Sequence, residues 1–299
     1  MKKEKIRYIR HNWNSYLFVL PALSIYLIFG LYPFLRTFQL SFYRWDGIAP
    51  DMQFVGLKNY IDIIFNNPIW WTSVLNASIV SIIALTFQNG LALLLAILLY
   101  RGITNGRTIY RVIFFMPPML SLIVVGYIWL WIYDGNYGIL NHILRIIGLG
   151  NHVRAWLSEA NSSLISVAVA HCWRGFGFAF ILFLAGLQTI PEDLYEAAKV
   201  DGAGTWNQFR YITLPLLVPV ATIVSVLTIL GTMQIFDLIM AMTQGGPGFH
   251  TEVPITRIYK EAFSYYHFGY GTAMAIVFGG LLLILSIFQM ECSRRRLRR

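Results

Sequence analysis

The chain has 299 residues, 57% of them hydrophobic and 16% aromatic, with only 12% charged and a net charge of +9. A soluble domain usually carries about 25% charged residues, so the composition argues against an ordinary soluble enzyme. Two cysteines, Cys172 and Cys292, lie far apart with no clustered ligands, which points to neither a disulfide framework nor a zinc site.

Six apolar stretches are long enough to cross a hydrocarbon core of ~30 Å, which takes roughly 20 residues as helix. The predicted spans are 16–40, 72–99, 111–133, 163–187, 212–240 and 270–290. Their apolar runs are continuous rather than alternating, so helices are expected and not a barrel. The expected fold class is an all-α membrane protein with six transmembrane helices. It divides into an N-terminal segment (1–15), a membrane domain (16–290) and a basic tail (291–299).

In chain order, "MKKEKIRYIR" precedes the first span. That span is too long for a signal-peptide core and lacks a small-residue cleavage site, so it reads as a retained helix. Arg36, near the end of this span, can snorkel. Span four contains "HCWRGFGF", with Arg174 near mid-membrane. A charge there costs about 2.5–3.5 kcal/mol on insertion scales, so Arg174 must face either a cavity or a partner on a neighbouring helix. His171, Arg174, Gly175 and Phe178 share one helical face. On span five, Thr228, Gly231, Thr232 and Ile235 follow i, i+3, i+4, i+7, which suits either a polar lining or plain helix contact. Asp237 lies near the end of that span.

Between spans four and five runs the polar segment "EAAKVDGAGTWNQFRYITLP", residues 196–215. Pro191, Glu192 and Asp193 suit a helix start. "DGAG" ends that helix, with Gly202 or Gly204 able to take φ > 0. Thr205 and Gln208 read as a capping box opening a second helix. A helix of about ten residues is marginal alone in water, so this helix–turn–helix needs something to pack against.

Charge sets the expected orientation. With the N-terminus inside, fifteen Lys and Arg fall on inside segments and six on outside ones. The positive-inside rule then puts both termini in the cytoplasm, with the C-terminal arginines at anionic lipid headgroups and no nucleic-acid partner. No phosphate loop of the type G-x-x-x-x-G-K-[ST] is present, and no nucleophile–base set or His–acid pairing for a metal stands out. Catalytic and metal residues are therefore assigned to none, and any energy source must be another chain.

The 196–215 segment resembles the EAA loop of binding-protein-dependent ABC importers at Glu196, Ala197, Ala198, Asp201, Gly202, Ala203, Phe209, Ile212, Leu214 and Pro215. "FVGLKNY", "YRVIFFMPP", "YGILN" and "TQGGPG" are similar to the carbohydrate-type permease subunits, of which MalF and UgpA are representatives. The resemblance implies a type I ABC importer permease fold in a bacterial or archaeal inner membrane. It implies a coupling loop (189–213) whose Glu196, Ala197, Ala198, Asp201 and Gly202 dock on an ATPase. It implies a second permease in a heterodimer, two copies of a cytosolic ATPase that use ATP and Mg, and an extracytoplasmic solute-binding protein. No cofactor is implied in this chain itself. Counted from the loop, the resemblance also implies sugar contacts at His171, Arg174, Gly175, Phe178, Thr228, Gly231, Thr232 and Ile235, and by a weaker alignment at Pro118 and Leu122. Histidine and arginine stand where the maltose type has an amide and an apolar residue, which suggests an acidic sugar. An ABC permease for another solute such as glycerol phosphate, or an ATPase-independent secondary transporter, are the alternatives.

Overall fold

A computed structural model describes residues 13–101 and 107–297. Lys2, Lys3, Lys5, Arg7, Arg10, Arg298 and Arg299, used in the orientation argument, lie outside the described residues. The helices are α1 (Leu17–Leu40), α2 (Lys58–Phe65), α3 (Pro68–Tyr100), α4 (Arg107–Met119), α5 (Leu122–Ile132), α6 (Ile139–Ile146), α7 (Ala160–Gln188), α8 (Glu192–Val200), α9 (Thr205–Met233), α10 (Asp237–Met242), α11 (Pro254–Tyr259) and α12 (Phe268–Leu297). A two-residue hairpin, β1 (Tyr43–Arg44) and β2 (Gln53–Phe54), pairs antiparallel with Tyr43 opposite Phe54.

Five helices are long and apolar enough to cross a membrane unbroken: α1, α3, α7, α9 and the Phe268–Glu291 part of α12. The predicted span 111–133 is not one helix. It is α4 and α5, bent by 99° at Leu120 and Ser121. Pro117 and Pro118 carry no N–H and end the helical ladder. Ser121 is extended, and its hydroxyl accepts from the Val124 N–H, capping α5. The predicted span 212–240 also differs at both ends. It starts at Thr205, passes a π turn at Phe209–Thr213 and stops at Met233; Asp237 opens the separate helix α10.

The chain forms two compact units. The smaller comprises Met1–Asn66 and Ile258–Gly279. In it, the "FVGLKNY" motif provides β2, a left-handed turn at Gly56 (φ +59°) and the start of α2. Buried Asn59 donates through Nδ2 to the carbonyls of Ser41 (2.8 Å) and Tyr43 (3.1 Å), tying α2 to the hairpin. Gly269 packs directly on the Tyr43 carbonyl, where a Cβ would collide, and its N–H donates to the Trp45 carbonyl.

The larger unit, Asn67–Arg257 with Gly280–Arg299, is organised by α7. This helix packs on α3, α4, α9 and α10. Glycines permit the closest approaches: a Cβ on Gly177 would strike the Phe114 carbonyl oxygen of α4, and one on Gly186 would come within 2.8 Å of Val220 in α9. Buried amides also hold its connecting loops. Asn141 Nδ2 donates to the carbonyls of Asp134, Gly135 and Arg154, while Asn141 Oδ1 accepts from Trp156 Nε1 at 2.8 Å. Asn76 Nδ2 donates to the carbonyls of Phe249 and Glu252, fixing the segment after "TQGGPG". The Asp134 carboxylate accepts from the Tyr137 and Asn136 N–H groups, which holds its pKa below the ordinary 3.8.

Candidate functional site

Two regions of the larger unit carry the sequence-derived site residues, and they are built differently. The first is the α8 turn. Pro191 is the N-cap residue of α8 rather than part of its first turn, and Glu192 and Asp193 lie at the positive end of the helix. Gly202 adopts φ +77°, and the Ala203 N–H reaches back to the Ala198 carbonyl at 2.8 Å, closing a Schellman turn. The expected capping box does not form. Gly204 is the N-cap of α9, Thr205 is already helical, and Gln208 Nε2 instead donates to the Ala203 carbonyl at 2.9 Å. The N-cap thus falls at Gly204, one residue earlier than the motif suggests.

One aromatic anchors α8. Tyr195 is buried against Leu99, Phe183, Leu187 and Leu217, with its hydroxyl 3.0 Å from Thr213 Oγ1 on the π turn of α9. Glu196, Ala197, Asp201 and Gly202 are exposed, and Ala198 is half-buried. Leu194 and Val200 also face outward, the latter 88% exposed. A cleft of about 480 Å³ runs between Tyr100, Glu192, Glu196, Lys199 and Thr205. The result is a helix end rooted by Tyr195, with an acidic, small-residue surface that nothing among the described residues covers.

The second region lies in the middle of the apolar helices. Arg174 Nε donates to the Leu120 carbonyl at 3.1 Å, and Nη2 reaches the Pro118 carbonyl at 3.4 Å. These are carbonyls that the α4 break leaves without helical donors, at the negative end of that helix. Asp237, in the first turn of α10, acts electrostatically on the same guanidinium. Arg174 thus clamps the break of α4. The short helices α5 and α10 pack directly together: a Cβ on Gly126 would lie 2.7 Å from Ala241 Cβ.

The remaining predicted residues divide. Gly175 abuts the Gln88 side-chain amide of α3, with which a Cβ would collide. Thr228 Oγ1 donates to Asn89 Oδ1 at 3.1 Å, and Thr232 meets Ser81 Oγ at 2.6 Å. His171 Nδ1 is buried, with no hydrogen-bond partner among the described residues. Pro118 lies in the last turn of α4 and Leu122 begins α5, both half-buried. Ile235 is buried beyond the end of α9 among Val125, Leu238 and Ile239. Two residues turn elsewhere: Phe178 is 50% exposed, and Gly231 faces open space. The faces expected on α7 and α9 therefore meet through Gln88 and Asn89 of α3, which sequence reasoning passed over. Their signal was present, as two adjacent amides inside a long apolar run. Gln88 closes a π turn at Ala84–Gln88 and Asn89 follows it; such turns are frequent at functional sites.

Residues 88–299 match the family described as binding-protein-dependent transport system inner membrane component. The chain is 35% identical over 295 residues to the trehalose/maltose transport system permease protein MalF of Thermococcus litoralis, covering 98% of this chain and 97% of the relative. It is 34% identical over 281 residues to the arabinooligosaccharides transport system permease protein AraP of Bacillus subtilis, covering 93% and 88%. Its fold matches a chain of a bacterial ABC transporter involved in the import of the acidic polysaccharide alginate, with TM-score 0.84, 24% identity, and 98% and 99% of the two chains covered.

Proposed function

The chain belongs to the inner-membrane components of binding-protein-dependent transport systems, and from that premise we propose that it is the permease subunit of an ATP-driven importer that moves a sugar or oligosaccharide into the cytoplasm. The observation that carries the energetic half of this reading is α8. It is rooted by Tyr195, presents Glu196 and Ala197 to solvent, and continues through one turn into the long helix α9. A push on that surface is delivered to a membrane helix without an intervening flexible linker. The carbohydrate half rests on relatives that match the chain almost end to end and are named for trehalose/maltose and for arabino-oligosaccharides.

In this reading two copies of a cytosolic ATPase hydrolyse Mg-bound ATP and close against the α8 surface. A second permease completes the pathway, and an extracytoplasmic binding protein delivers the sugar. Both termini lie in the cytoplasm, as the excess of basic residues on those segments favours. The segment at 291–299 would then rest on anionic lipid. Helix α7 and the residues grouped around Arg174, Gly175 and Thr228 form the passage. Alternating access would open it to one side and then the other.

One observation favours a second, narrower reading, in which the cargo is an acidic saccharide. Arg174 uses Nε and Nη2 on backbone carbonyls, while Nη1 has no hydrogen-bond partner among the described residues and is free to meet a carboxylate. Both readings are tested by reconstituting the chain with its ATPases, second permease and binding protein. ATP hydrolysis is then measured with maltose, trehalose, an arabino-oligosaccharide and an alginate trisaccharide. Stimulation by one or more saccharides supports carbohydrate import, and stimulation by the alginate trisaccharide alone supports the acidic one. Stimulation by glycerol phosphate and by no saccharide would refute both.

A further inference from the structure

Gln88 and Asn89 are 5% and 7% exposed, deep among apolar helices. Gln88 Oε1 and Asn89 Nδ2 have no hydrogen-bond partner among the described residues. Burying a polar atom unpaired is costly, and an apolar side chain of the same shape would remove the cost. The orientation of the Asn89 amide is fixed by its neighbours. Its Oδ1 accepts from Thr228 Oγ1 at 3.1 Å and from Gln88 Nε2 at 3.4 Å, which turns Nδ2 the other way. Gly175 leaves room for the Gln88 amide against α7, the helix that also carries the unpartnered His171 Nδ1. One free acceptor and one free donor therefore lie at the two outer ends of the Gln88–Asn89 amide pair, with a third unsatisfied nitrogen on the neighbouring helix.

We propose that Gln88 and Asn89 read the hydroxyl groups of the transported sugar, Gln88 Oε1 accepting from one hydroxyl and Asn89 Nδ2 donating to another. A sugar hydroxyl both donates and accepts, so this adjacent pair matches it in both senses. In this structure the two atoms are unsatisfied, and the entering sugar supplies what they lack. Sites built this way reject analogues that cannot complete the hydrogen bonds. The inference rests on the carbohydrate reading given above, and it assigns α3 a share in specificity alongside α7 and α9.

The test uses the complete transporter in proteoliposomes at saturating, sugar-loaded binding protein, so that the affinity of the binding protein drops out. The probe is whichever of maltose, trehalose, an arabino-oligosaccharide and an alginate trisaccharide the wild-type assembly imports fastest, together with its singly deoxygenated analogues. Gln88→Met keeps length and removes hydrogen bonding; Asn89→Leu keeps volume and removes the donor together with the acceptor for Thr228. Each variant should import the probe about ten- to a hundredfold more slowly, with stimulated ATP hydrolysis unchanged and, for Gln88→Met, a melting temperature no lower than wild type. One deoxygenated analogue should be penalised in wild type but no further penalised in Gln88→Met. Equal loss of import and hydrolysis, or a variant that imports every analogue as wild type does, overturns the inference alone. A wild-type assembly stimulated by no saccharide overturns the carbohydrate reading and the inference together.

Discussion

The α8 turn and the membrane-centre cluster show two ways of encoding a site. Nearly everything at the turn is local: the acidic first turn, Gly202 at φ +77° and the Schellman bond all lie within about a dozen residues. At the centre, Arg174 finds partners 54 and 56 residues away, and Thr228 meets Asn89 across 139 residues. A turn is specified by its own residues and keeps its shape while its partner is absent. A cluster of distant polar groups is specified by the packing of four helices and is altered when any one of them moves.

That contrast can be sharpened by substitution. The largest effect is expected at Gly177, which lies against the Phe114 backbone carbonyl. Backbone cannot yield as a flexible side chain can, so Gly177→Leu should cost more than about 3 kcal/mol by overpacking. The checkable result is loss of folded protein in a detergent thermal-shift assay, whereas Gly231→Leu, at a site with open space, should fold as wild type. Gly202→Ala comes next, at about 1–2 kcal/mol for a left-handed residue that gains a Cβ. Its site is solvent-exposed, so the strain should appear as a displaced α8 and slower ATP-dependent import, with the apolar core intact by hydrogen exchange. Arg174→Met should change stability least, because two large terms oppose. Leaving carbonyls unpaired costs ~1–3 kcal/mol, while removing an intramembrane charge returns ~2.5–3.5 kcal/mol. A melting temperature close to wild type combined with a marked loss of import would separate this functional clamp from a structural one. A large fall in stability would place the centre under the same local rules as the turn.

How much was legible follows the same division. Helix α8, its end at Gly202 and the apolar helices could be read from local chemistry. The break at Leu120 was also written locally, in Pro117, Pro118 and the capping Ser121, but a hydropathy reading averages over such a break and returns one long span. The capping box failed because Gln208 donates to the Ala203 carbonyl instead of accepting from an N-cap N–H, a choice that depends on the geometry of the preceding turn. The separation of α10 from α9 carries no proline or glycine at residues 234–236, so nothing local announces it. Gln88 and Asn89 stood in plain view, yet their role depends on Gly175 and Thr228, which only the fold brings to them.

The most direct measurement is the initial rate of ATP-driven sugar import into proteoliposomes carrying Glu196→Lys together with Ala197→Glu. Both substitutions fall on exposed positions beside the buried Tyr195 anchor, so they alter the charge and bulk of the surface proposed to dock the ATPase while leaving the helix rooted. Import should fall to background while the protein melts as wild type and the transporter no longer couples hydrolysis to the binding protein. Wild-type import by that variant would mean that work reaches the membrane helices by some other route, and the account would be wrong.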